Sequence, residues 1–372
     1  MNGAPPTIYD VAAIAGVSIA SVSRVLNGTG RPRPDTRDRV LRAVDELGFV
    51  PDGAARALSV KLKETVGVVY RRVPKTPAQG GVFAEENENL QFADIINRGI
   101  EVAAQRRGFS LLISSVAAED ADAGRRMLAL ARKCDGLIVH DMVLDAGQLD
   151  RLGRQIPVVN LAGITTPHTA SVRGDSETGM RDLIRHLIHD HGYRTLGYLA
   201  GVADSPDNVT RQAVVAAEAS AAGVELATGP EWQGSYYADG GAHVIDGLLS
   251  SGQPLPRAIV CANDLAALGA LHTLARRGVD VPRDVAVTGF DDIPVARRLH
   301  PGLTTVRQPI QELGATAFEL LESLVGNGEP EPRDVVLPTR LIRRGSCGCP
   351  VTSKLALASE GLSIRRASPQ AG

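Results

Sequence analysis

Residues 7–27, TIYDVAAIAGVSIASVSRVLN, restrict what this chain can fold into more than any other stretch. Ile8, Val11, Ile14 and Ala15 recur at helical spacing, Gly16 breaks the pattern, and Val22, Val25 and Leu26 resume it. Thr7 with Asp10 three residues on is a capping-box start, and Ser18 is a natural N-cap for a second helix. Two helices of about eight residues do not persist alone in water, so their apolar positions need a third to pack on. Residues 37–47 supply it, with Val40, Leu41, Val44 and Leu47 inward. The second helix then shows a polar face of Ser18, Ser21, Ser23, Arg24 and Asn27. The expectation is an all-α helix-turn-helix head whose second helix is sized for a DNA major groove. A small helical subdomain that merely carries serines is the plainer alternative.

At 372 residues the chain has room for two or three domains with large cores. No apolar run approaches a membrane span, and MNGAPPTIYD lacks a basic-then-apolar export pattern, so a cytoplasmic protein with no membrane partner is expected. Four cysteines (Cys134, Cys261, Cys347 and Cys349) are too sparse for a disulfide scaffold. The net charge of −2 is uneven: residues 1–64 hold nine Lys/Arg against seven Asp/Glu. So weak an excess says little by itself; the placement of Arg24, Arg31, Arg33, Arg37 and Arg56 says more.

Several spaced words agree in order with one family. Residues 1–62 resemble the DNA-binding head of LacI/GalR-family bacterial transcription regulators through TIYDVAAIAGVS, SVSRVLNG and TRDRVLRAVDELGFVPDGAARAL, with TVGVV beyond. The resemblance implies that the second helix lies in the major groove, with Ser18, Ile19 and Ala20 at its reading end and Arg24 one turn on. Ile19 and Ala20 read only shape and thymine methyls, whereas Arg24 can donate bidentately to a guanine. Ser21, Ser23 and Asn27 suit phosphate oxygens. Arg33 stands where the family usually has a serine cap; it cannot cap, so the third helix should start on Pro34 and leave Arg33 for phosphate.

Pro51-Asp52-Gly53 and the residues after it match the family's hinge, which the resemblance makes a short helix ordered only beside its partner's copy on DNA. Leu58 then wedges into the minor groove and Arg56 lies along the backbone. A lone leucine is usually core, but this short polar linker offers no core to join.

From Thr65 the pattern becomes short apolar strands alternating with amphipathic helices. Strands are expected at 66–70, 110–114, 136–140, 157–161, 195–200, 258–262 and 285–290, and helices near 92–107, 119–133, 176–190, 209–222, 240–250 and 264–277. Such βα repetition gives parallel sheets with helices on both faces, here two similar lobes with a ligand cleft beyond the strands' carboxyl ends. The words CANDLAALGA and VAVTGFDD resemble the family's two-lobed, periplasmic-binding-protein-like α/β core. That resemblance implies effector contacts at Arg211, Asn263 and Asp291, with Asp175 at the cleft's far side. These suit a polyol: Arg donates, Asp accepts from paired hydroxyls, Asn does both. The plain reading of Asp291 is a strand-end turn residue, and of Asp264 a helix N-cap. Phe92 is the one aromatic left where the family has two over the ligand, after an unusually long loop at 71–91. The second aromatic wall is Trp232 or Tyr236.

The expected organisation is a head at 1–50, a hinge at 51–64, a core at 65–350 and a disordered tail at 351–372. Lobe 1 is expected at about 65–163 and 307–329, and lobe 2 at about 164–306 and 330–350, with one strand at 335–343. His186, His189 and His191 invite a metal, but sit where a helix C-terminus favours histidine, and Cys347-Gly348-Cys349 lacks a second pair; no metal or cofactor is expected. No Walker loop, nucleophile elbow or dinucleotide fingerprint occurs. The functional expectation is a non-enzymatic, effector-controlled repressor, a homodimer on a pseudo-palindromic double-stranded operator. An enzyme on a doubly wound fold, or an exported or cytoplasmic sugar-binding protein, is the alternative.

Overall fold

The structure is a computed structural model that describes residues 6–26, 30–49, 62–72, 90–117, 122–326 and 334–350. Asn27, the hinge residues Arg56 and Leu58, most of the 71–91 loop and the tail after 350 therefore lie outside the described residues.

Three helices build the head: α1 (Ile8–Ala15), α2 (Ile19–Leu26) and α3 (Pro34–Leu47). Asp10 Oδ2 accepts from the Thr7 amide and hydroxyl, each at 2.7 Å, fixing the start of α1. Gly16 ends α1 at φ +62°, a left-handed conformation that a Cβ disfavours. Ser18 Oγ accepts from the Ser21 amide at 3.3 Å and so caps α2. α3 starts on Pro34 with no cap from Arg33, as expected. Val11, Ala12, Ala15, Val22, Val40 and Ala43 form the buried centre. Two expectations fail: Ile14 is 49% and Leu41 41% exposed. Ala12 and Ala43 are buried instead, because close helix approach leaves room for a methyl group rather than a branched chain. Arg39 Nη1 also donates to the Ala15 carbonyl at 3.2 Å, tying α3 to the end of α1.

The core holds two six-stranded sheets. The first contains β1 (Thr65–Arg72), β2 (Ser110–Ala117), β3 (Gly136–His140), β4 (Val158–Leu161), β5 (Ala170–Gly174) and β11 (Asp334–Leu337), in the order β11-β5-β4-β3-β1-β2, all parallel. The second contains β6 (Thr195–Leu199), β7 (Glu225–Ala227), β8 (Ala258–Cys261), β9 (Ala286–Asp291), β10 (Thr304–Arg307) and β12 (Arg340–Ile342), in the order β12-β10-β9-β8-β6-β7. Only β12 is antiparallel to its neighbour there. Helices α4 (Leu90–Arg106), α5 (Ala123–Ala131), α6 (Ala146–Gly153) and α11 (Ile310–Gly326) accompany the first sheet. α7 (Ser176–Arg185), α8 (Pro206–Ala221), α9 (Ala238–Ser250) and α10 (Asp264–Arg276) accompany the second. β8 and β9 are buried along their whole length, as strands covered on both faces must be. α4 and α11 press backbone to backbone: a Cβ on Gly99 would run into the Gln311 carbonyl.

The lobe boundaries differ from expectation. β5 belongs to the first sheet, so lobe 1 continues to Gly174 rather than ending near 163. The single strand expected at 335–343 is two strands in different lobes, and lobe 2 resumes at Arg340 rather than near 330. Pro338 supplies no ladder donor and breaks the apolar run, and the chain crosses between sheets there. β5 escapes the sequence because Ser171 and Arg173 interrupt so short a segment. Among the described residues, no single helix is long and apolar enough to cross a membrane.

Candidate nucleic-acid interface and effector cleft

α2 turns Val22 into the head's centre and Ser18, Ile19, Ala20 and Arg24 outward; Ser21 and Ser23 are half-buried at the margin. Ile19 is 39% exposed, between the exposed Ser18 and Ala20. Arg24 Nε donates to the Ala20 carbonyl at 3.2 Å, laying the stem along the helix while the residue stays exposed. Arg31, Arg33 and Arg37 are also exposed. Tyr9 is 67% exposed on α1, a residue the sequence reading passed over. Its place beside Ile8, off the Val11–Ala15 stripe, was the available signal.

In the core, polar groups gather at the carboxyl ends of strands from both sheets. Arg211, one turn into α8, is 2% exposed. It donates from Nε to Ser176 Oγ at 3.1 Å, from Nη1 to the Ala262 carbonyl at 2.8 Å and from Nη2 to Asp207 Oδ2 at 3.0 Å. Its guanidinium lies 3.7 Å over the Phe290 ring. Asp291 ends β9 with φ +122°, a strained backbone for a non-glycine residue, and accepts from Gln308 Nε2 at 2.7 Å. Burial pushes its carboxyl up to about 7, against the pull of Arg211 and Gln308. Asp141, just beyond β3 in lobe 1, accepts from Ser205 Oγ at 2.9 Å, and Ser205 accepts from Tyr236 Oη at 2.9 Å. This chain joins the lobes. Burial and the nearby Asp207 raise Asp141 to about 7 as well, opposed by Ser205, Arg211 and Arg71.

Of the expected effector residues, Arg211 and Asp291 belong to this cluster. Asn263 borders it as the N-cap of α10: its Oδ1 accepts from the Ala266 amide at 2.9 Å, and its Nδ2 donates to the Tyr236 carbonyl at 3.0 Å. Asp264 is therefore not the cap; it accepts from Thr305 Oγ1 at 2.5 Å and the Ile293 amide at 2.9 Å, bracing the turn after β9. Asp175 Oδ1 caps α7 through the Thr178 amide at 2.9 Å, where the chain crosses between lobes. Phe92 is half-buried against the apolar core. Trp232 is a correction: it is 4% exposed in the apolar core, and a Cβ on Gly197 would strike its ring. Tyr236 instead joins the polar cluster and covers Gly201, where a Cβ would strike the phenol. Asp141, Ser205, Asp207 and Gln308 were missed. Asp207 was findable, four residues before Arg211 on the same helix face; the others meet only through the fold.

A second constellation lies on lobe 2. His186 and His191 meet Cys347 and Cys349, and one nitrogen or sulfur from each falls within 4.8 Å of all the others. The two pairs are far apart in sequence, so spacing could not join them; the fold brings them together. His189 is exposed and outside the group.

Comparison with known proteins follows the same division. Residues 7–52 match the family described as bacterial regulatory proteins, lacI family, and residues 184–347 match a periplasmic binding protein-like domain. Catabolite control protein A of Priestia megaterium is 31% identical over 345 residues, spanning 91% of this chain and 98% of that protein. The HTH-type transcriptional regulator GalS of Salmonella typhimurium is 33% identical over 345 residues, with 91% and 96% covered. A lac repressor dimer bound to operator and the anti-inducer ONPF has TM-score 0.76 at 26% identity, over 92% of this chain and 99% of that one. A complex of the transcriptional regulator CelR with cellobiose has TM-score 0.64 at 31% identity, with 92% and 99% covered.

Proposed function

This chain belongs to the lacI family of bacterial regulatory proteins, and from that premise we propose that it is a cytoplasmic, non-enzymatic repressor that releases or grips its operator in response to a polyhydroxylated effector. The observation that carries the reading is the pairing, on one chain, of an outward α2 face (Ser18, Ile19, Ala20, Arg24) with the buried Arg211–Asp207–Asp291 cluster at strand ends.

Each head of a homodimer reads one half of a pseudo-palindromic operator. Arg24 donates to a guanine, Ile19 and Ala20 meet thymine methyls, and Ser21, Ser23, Asn27 and Arg33 hold phosphates. Arg56 follows the backbone between the half-sites, and Leu58 wedges into the central minor groove. The lac repressor dimer on its operator, similar over nearly the whole chain, supports the assembly.

The effector sits where both sheets' strand ends converge, with Arg211 and Asn263 donating, Asp291 and Asp175 accepting, and Phe92 and Tyr236 as apolar walls. A sugar or sugar derivative suits this mixture of acceptors, donors and rings, and the cellobiose complex of CelR supports that class. Hydroxyl donors favour the ionised form of Asp291, so binding expels a proton near neutrality and strengthens as pH rises through about 7. The effector displaces or reinforces the Tyr236–Ser205–Asp141 link and so changes the angle between lobes. To switch DNA binding substantially, its affinity must differ between the two states by about 100-fold, or about 2.7 kcal/mol.

A thermal-shift screen of sugars and nucleobases, followed by operator selection with and without each hit, tests the reading. A hit that alters operator affinity supports it; hits that never alter DNA binding contradict it.

A further inference from the structure

The His186/His191/Cys347/Cys349 cluster has no part in the regulatory reading above. His191 Nε2 lies 3.2 Å from His186 Nε2. Cys347 Sγ and Cys349 Sγ each lie 3.5 Å from His186 Nε2, and Cys349 Sγ lies 3.4 Å from His191 Nε2. A tetrahedral zinc ion with ordinary bond lengths spaces its ligands at about 3.4 Å for two nitrogens and about 3.6 Å for nitrogen and sulfur. Four separations thus match four of the six edges of one coordination tetrahedron. Hydrogen bonding alone explains the convergence poorly. His186 Nδ1 faces Asp190 Oδ2 at 2.7 Å, which holds a proton on Nδ1 and leaves Nε2 with a single lone pair. Three heteroatoms crowd that one direction.

The backbone is shaped to the same end. α7 closes in a π-turn, His186–Asp190. In an α-helix, residues five apart diverge by about 140°, whereas the wider turn brings His186 and His191 to one side. Gly348 takes φ +96°, and a Cβ there would stand 3.0 Å from Tyr193 Oη; the glycine lets Cys347 and Cys349 turn the same way. Asp190 is the outer carboxylate that commonly orients a metal-bound histidine.

We propose that His186, His191, Cys347 and Cys349 form a structural zinc site that clamps the end of the core onto the last turn of α7. Two thiolates and two imidazoles in a tetrahedron select zinc over oxygen-seeking cations, and four protein ligands leave no open position for catalysis. The ion cross-links positions 161 residues apart, tying the chain just after β12 to the end of α7.

Metal analysis of the full chain, purified without chelator, tests the site. The expected content is about one zinc per chain, falling at least about tenfold in Cys349→Ser. Cobalt substitution should give the intense visible absorption and thiolate charge transfer of a tetrahedral sulfur site. Stripping zinc should lower the Tm of the parent by several degrees, reversibly, and leave Cys349→Ser unmoved. Should the variant fail to fold, alkylation of the unaltered protein decides: zinc should slow modification of Cys349 at least about tenfold. Zinc-supplemented protein that holds no metal, a Cys347–Cys349 disulfide in freshly purified protein, or alkylation indifferent to zinc would each overturn the proposal.

Discussion

The head and the core handle polar groups in opposite ways. The head buries six small apolar residues and leaves Ser18, Arg24, Arg31, Arg33 and Arg37 exposed. The core buries Arg211, Asp291 and Asp264 at strand ends with the partners given above, and Asp292 beside them accepts from Arg307 and Arg344. A charged polymer is met from outside, where exposed groups over a small scaffold suffice. A small neutral ligand must be met inside, where unpaired polar groups are costly and selectivity is correspondingly high. Damage to the head should therefore change DNA binding with little effect on stability, whereas damage to the cluster should change both effector binding and stability.

The largest effect is expected from Arg211→Ala. It leaves Asp207 and Asp291 without their buried cation, so chemical denaturation should show a loss of about 3–5 kcal/mol. Effector affinity measured by calorimetry should fall at least about 100-fold. Effector-free operator binding that drops as far would break the division between the regions. Leu58→Ala comes next: gel-shift titration should show specific binding weakened by several kcal/mol with the melting curve unmoved. Unchanged operator affinity would remove the hinge from the reading of sequence. Arg24→Ala should cost about 1–3 kcal/mol of discrimination at one base pair in each half-site and leave effector affinity alone. The last effect concerns pH. A carboxyl raised to about 7 stays protonated in the fold while its unfolded counterpart ionises near 3.8, so it stabilises at low pH and loses that contribution as pH rises to about 7. Asp291→Asn should flatten the decline of Tm between about pH 4 and 7; an unaltered slope would assign the titration elsewhere, Asp141 being the other raised carboxyl.

The same contrast explains what the sequence disclosed. The head is local: Thr7, Gly16, Ser18 and Pro34 act on their own neighbourhoods, and each does in the fold what its residue type dictates. Its errors, Ile14 and Leu41, are cases where helix periodicity admits two residues and only packing chooses. Seven strands of the core were legible as apolar runs. β5, β7 and β10 were not read and β11 and β12 were merged into one, because such short segments owe their pairing to neighbours in the folded sheet. Arg211 and Asp291 stand out within recognisable words, but Asp141 reaches its partner Ser205 only across the lobes. Trp232 and Tyr236, four residues apart, were indistinguishable until Gly197 and Gly201 proved to receive one ring each. The histidines and cysteines met the same obstacle, since half a ligand set on either side of some seven strands and four helices looks like nothing in either place.

The most direct test of an effector-controlled DNA reader is selection of binding sites from random duplex DNA by the full chain, with the winning site then titrated against salt. The expected result is an enriched pseudo-palindrome whose affinity falls steeply with ionic strength and is cut, for that site alone, by Arg24→Ala. Recovery of no preferred sequence, or equal binding by the parent and Arg24→Ala at every salt concentration, would contradict it.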